Sequence, residues 1–77
     1  MTRHCEFGDQ VWEIRVKLVG KTKTWEAIAH TVTANGIDEG SSERIGASAD
    51  EEAAFRAMIR RLQDKTGHPV GACKSVD

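Results

Sequence analysis

Residues Ser48 to Pro69 spell a helix with both ends marked, and a chain of 77 residues keeps little freedom once that helix is placed. Ser48 followed three residues later by Glu51 fits a capping box, in which the hydroxyl accepts an orphan backbone N–H and the glutamate reaches back. At the other end Gly67 suits a left-handed C′ position, and Pro69 blocks continuation. The expected helix runs from Ala49 to Thr66. Its apolar residues Phe55, Met58, Ile59 and Leu62 recur at i, i+3, i+4 and i+7, a stripe that must face something apolar. Glu52 stands four residues before Arg56, and Arg60, Arg61 and Lys65 lie near the end where the helix dipole favours cations.

That something is a sheet. From Val11 to Val19, Trp12, Ile14, Val16 and Leu18 alternate with Glu13, Arg15 and Lys17, the period of a half-buried strand. Gly20-Lys21-Thr22-Lys23 supplies the reversal, and Thr24 to Thr33 forms the second strand of a hairpin. In this second strand both faces carry apolar groups. Trp25, Ala27, Ala29 and Thr31 lie on one and Glu26, Ile28, His30 and Val32 on the other, so the pattern does not say which is buried. Asn35 to Ser42 is rich in turn formers and reads as an exposed loop, followed by a short third strand over Glu43 to Ala47.

The expected fold is therefore α+β, a three-stranded antiparallel sheet with one C-terminal helix packed on one face, in the order β-β-β-α. The core is expected to contain Trp12, Ile14, Val16, Leu18, Ala27, Phe55, Met58, Ile59 and Leu62. Residues 1–77 make one small domain, with 1–8 and 70–77 as flexible ends. A chain of this length buries only roughly 60–65% of its unfolded surface, which argues against a deep catalytic cleft.

Eleven basic and twelve acidic residues leave a net charge of −1, so no bulk field draws the chain to nucleic acid or anionic lipid. Apolar runs are far shorter than the roughly 20 residues of a membrane-spanning helix. The start of the chain lacks the apolar segment of a signal peptide, so a cytoplasmic location is expected, with Cys5 and Cys73 as free thiols. His4-Cys5 and His68 with Cys73 lack the spacing of metal ligands, and no metal or other cofactor is expected. His30 shares a strand face with Glu26, but no third group completes an acid–base site, and the reading is non-enzymatic.

Two binding readings remain. A single helix covers one face of a sheet, which leaves Val11 and Val19 on the open side, together with Ile28, His30 and Val32 or else Trp25 from the second strand. The first five are the expected contacts of a protein-interaction module, a homodimer or accessory subunit whose partner is another protein chain, through that face or an edge strand. The alternative is a nucleic-acid binder using Arg15, Lys17, Lys21 and Lys23 as a basic hairpin on the sheet.

The Trp-bearing strand pair, polar turn and helix opening Ala49-Asp50-Glu51-Glu52-Ala53-Ala54 resemble the small β-β-β-α domain of HicB-type antitoxins from about Val11 to Leu62. The order of elements is also similar to that of the N-terminal DNA-binding domains of some phage-type integrases. Neither likeness carries a diagnostic residue set, so no functional residues are carried over.

Overall fold

The structure is a computed structural model, in which residues 1–76 are described. The elements are β1 (Thr2–Phe7), β2 (Gln10–Val19), β3 (Thr24–Thr33), β4 (Gly36–Ser48), α1 (Glu51–Thr66) and β5 (Val70–Ser75). The strands form one antiparallel open sheet in the order β4-β3-β2-β1-β5, with α1 packed on one face. The class is α+β, with five strands instead of the three expected.

Residues expected to be flexible ends supply the two additional strands; Asp77 lies outside the described residues. In β1 the row Arg3, Cys5 and Phe7 faces the helix side, and Cys5 and Phe7 are wholly buried. Arg3 disguises this row because it reads as polar. Its guanidinium lies over the Phe55 ring, 4.6 Å from the centroid, where a cation and an aromatic face attract. On the outer edge, β5 pairs only with β1.

Cys5 and Cys73 stand directly opposite each other in this pairing and form a disulfide, so neither is the free thiol expected. The bridge joins residues 68 apart in sequence. β1 and β5 are thereby tied together at one edge of the sheet.

The hairpin β2–β3 follows the alternation closely. Trp12↔Thr31, Ile14↔Ala29 and Val16↔Ala27 are opposite pairs on the helix side. The buried face of β3 is thus the Trp25, Ala27, Ala29 row. Small alanines there let α1 approach closely enough to bury Ala54, Phe55, Met58 and Leu62, while Ile59 is half-buried. Leu18 is not part of the core. It is 52% exposed, opposite Trp25 at a hairpin end that the helix does not cover.

β4 occupies 13 residues where a loop and a five-residue strand were expected. Its register jumps between Thr31↔Asp38 and His30↔Ser42. Three residues on β4 bulge out across a single step of β3, which exchanges the two faces. Ile37, opposite Val32, lies on the open face, whereas Ile45, opposite Ala27, packs on the core. An uninterrupted strand would have put both odd-numbered isoleucines on one side.

The helix begins at Glu51, and its N-cap is Asp50 rather than Ser48. Asp50 Oδ1 accepts from the Ala53 N–H at 2.8 Å, while Ser48 is still the last residue of β4. Asp50 thereby takes the Ala53 N–H, the third-residue donor of the helix as it begins at Glu51, in place of the Glu51 N–H that a Ser48 cap would have taken. The C-terminal reading holds: Gly67 adopts φ 75° and its N–H donates to the Gln63 carbonyl. Glu43 on β4 reaches Arg61 and Lys65 at 3.3 and 3.4 Å, tying the sheet edge to the helix flank. Among the described residues, no helix is long and apolar enough to cross a membrane.

Candidate functional site

The face opposite the helix is built by the other row of each strand. Across it runs the line His4↔Glu13↔His30↔Ser42. Beside it lie Val11↔Val32↔Ile37 on one flank and Arg15↔Ile28↔Arg44 on the other. All five expected contacts, Val11, Val19, Ile28, His30 and Val32, fall on this face and are half-buried. Val11 and Val32 are direct neighbours, while Val19 stands at the distant end of β2 opposite Thr24.

A trough of about 290 Å³ opens at the middle, lined by Glu13, Arg15, Lys17, Ile28, His30, Ile37 and Glu39. The bulge in β4 makes one wall. It brings Glu39 beside Ile37, which is paired with Val32, and the Ser41 carbonyl accepts a hydrogen bond from His30 Nδ1 at 3.2 Å. The Ser41 hydroxyl meets the Thr31 hydroxyl, and the Asp38 carboxylate accepts from the Gly40 N–H. Side chains thus replace the regular ladder bonds that the bulge gives up.

Glu13 is the unusual group, a carboxylate only 6% exposed on the face without a helix. Its Oε1 accepts from Arg15 Nε at 2.6 Å, and its Oε2 lies 3.0 Å from His4 Nε2, which donates when that nitrogen carries the proton. Burial pushes the carboxyl pKa up, but the hydrogen bonds and charges of His4 and Arg15 outweigh it and hold the group below the ordinary glutamate value. A depressed folded-state pKa contributes stability at pH above the unfolded value, about 4.3, which is lost as pH falls through the lower folded value. Thermal unfolding between about pH 2 and 6 should therefore show a shallower acid-side loss of stability in Glu13→Gln than in the parent. Identical slopes would contradict a native carboxylate held by these partners.

The four basic residues expected to contact nucleic acid separate into two pairs. Arg15 is turned to Glu13, and Lys17 lies 3.5 Å from Glu26, which also meets Arg44 at 3.4 Å. Lys21 and Lys23 are exposed in the turn beyond Val19, with Lys23 at φ 54°. Glu26 is engaged by these cations and is not paired with His30. The face is a mosaic in which acids and bases alternate, without a continuous basic track.

His4, Glu13, Ile37 and Glu39 are the contributors that the sequence reading missed. His4 belonged to a supposed flexible end, and Ile37 and Glu39 to a supposed loop. Glu13 looked like any outward-pointing residue of an alternating strand. Among the described residues, no group of three or more His, Cys, Asp or Glu is placed to hold a metal ion. No family model, curated protein or solved structure matches this chain.

Proposed function

We propose that this domain is a non-enzymatic interaction module whose open sheet face receives a second copy of the same chain. The observation that carries the reading is the uncovered face itself, in which Ile28 and Ile37 line the trough, half-buried Val11 and Val32 lie on its flank, and among the described residues no element packs over it. Three properties favour a like partner. The face carries both signs, with Arg15, Lys17 and Arg44 set among Glu13, Glu26 and Glu39, so a two-fold related copy can oppose unlike charges. A net charge of −1 opposes self-association only weakly. The outer edge of β4 also offers backbone donors and acceptors for strand addition beside the same face.

A nucleic-acid partner is less well supported, because Arg15 and Lys17 already face carboxylates. A disulfide between distant parts of a chain persists best in oxidising surroundings, and we place the working domain there instead of in the cytoplasm.

Sedimentation over a wide concentration range tests the reading. The parent should shift from monomer to dimer, while Ile28→Glu and Val32→Glu, each placing a charge on a half-buried open-face position, should weaken dimerisation by about 10-fold or more. A parent that remains monomeric at millimolar concentration, or dimers insensitive to both substitutions, would remove the proposal.

A further inference from the structure

We propose that Cys73 is a thiol-exchange site through which a small thiol opens the Cys5–Cys73 bridge and unlatches the outer strand β5. The two residues differ in exposure: Cys5 is wholly buried beneath the sheet edge, whereas Cys73 is exposed on the last strand. Thiol–disulfide exchange requires a thiolate to reach the sulfur that it attacks. Attack is therefore directed to Cys73.

The chemistry balances with a monothiol such as glutathione. Its thiolate forms a bond to Cys73 Sγ while the Cys5–Cys73 bond breaks, and Cys5 leaves as a thiolate that takes a proton from water. A second monothiol then attacks the small molecule's sulfur in the mixed disulfide. Cys73 leaves and is protonated, so two thiols have supplied two electrons and two protons and become one disulfide.

The bridge acts as a latch because little else holds β5. The helix lies over β4, β3 and β2 and only grazes β1, so it does not clamp the opposite edge. β5 has one neighbouring strand, its register with β1 is interrupted between Cys5 and Phe7, and residues 71–75 are all exposed. Val70 is different. Its N–H donates to Gln63 Oε1 at 2.9 Å, and its side chain packs against the core. Opening should hinge at Val70 and free 71–75, including the Val76 N–H bond to the Thr2 carbonyl beyond them. The uncovered β1 edge then presents the backbone groups that β5 had used.

The start of β5 is fixed independently. His68 packs on the β1–β2 turn at Gly8, where φ is 64° and an added Cβ would come within 2.9 Å of three ring atoms. Gly8 permits both the turn and the close approach of the ring. The hinge therefore has a rigid side.

Two measurements decide the proposal. Oxidised protein is mixed with reduced glutathione, quenched in acid, alkylated after denaturation and mapped by peptide mass spectrometry. The adduct should sit on Cys73, with Cys5 recovered as the alkylated thiol; an adduct mainly on Cys5, or no exchange at Cys73, overturns the assignment. Hydrogen exchange is then compared for oxidised protein, dithiothreitol-reduced protein and Cys73→Ser. Amides of 71–75 should exchange at least about tenfold faster in the last two, with 10–19 and 51–66 still protected. Unchanged protection of 71–75, or loss of protection throughout the chain, would show that the bridge is not a local latch.

Discussion

Cys73→Ser is expected to lower the free energy of unfolding by about 4 kcal/mol, the loop-entropy value for a bridge that closes most of the chain. The 68-residue separation sets that size, because the oxidised unfolded chain is held as one large ring. Small domains have only about 5–15 kcal/mol of stability in total, so the bridge accounts for a large share. Cys73 is the better of the two positions to change, since it is exposed and serine there leaves the buried Cys5 packing intact. Urea titrations of oxidised protein, reduced protein and Cys73→Ser should give one high midpoint and two similar lower ones. A variant as stable as the oxidised parent would mean that the bridge does not constrain the unfolded chain.

Phe7→Ala should cost a further class of energy, about 3–5 kcal/mol, as for other large buried aromatics. Phe7 is wholly buried although it lies only seven residues from the start of the chain. Leu18→Ala is the internal comparison. Leu18 stands in the most regular strand but is half exposed, and its truncation should cost under about 1 kcal/mol. The two substitutions invert the ranking that hydrophobic periodicity suggests. Both should be measured in oxidised protein, because Phe7 and Cys5 share the helix side of β1 and losses at neighbouring sites do not add.

Where the chain obeys a single period, the fold was legible. β2 alternates without interruption, β3 occupies the expected ten residues, and α1 ends at the glycine that its sequence marks. The edge strands were not legible, each for a physical reason. β1 puts Arg3 in its buried row, and only the Phe55 ring beneath it explains that placement. β5 reads Val-Gly-Ala-Cys-Lys-Ser, too small and polar to signal a strand, and beyond Val70 its side chains are exposed while the disulfide ties it to β1. β4 changes face within itself, so no window along it shows a steady alternation.

The candidate site shares this division. Val11 was placeable by the alternation of β2, but Ile28, His30 and Val32 lie on a strand with apolar groups on both faces, and only the register with β2 puts them beside Val11. Its depth comes from elements that carry no periodic signal: His4 from β1 on one side of Glu13, and the β4 bulge with Ile37 and Glu39 on the other. The burial of Glu13 is a property of strands that meet only in space. Alternation assigns a side of the sheet, but it does not report what lies next to that side.

The open face as a self-association surface is tested most directly by isotope-filtered NOE spectroscopy on a mixture of labelled and unlabelled protein. Intermolecular contacts should involve the methyl groups of Val11, Ile28, Val32 and Ile37, which border the trough or its flank. Contacts confined to α1 or to the β2–β3 turn, or none at concentrations near a millimolar, would contradict the assignment of this face to a second copy.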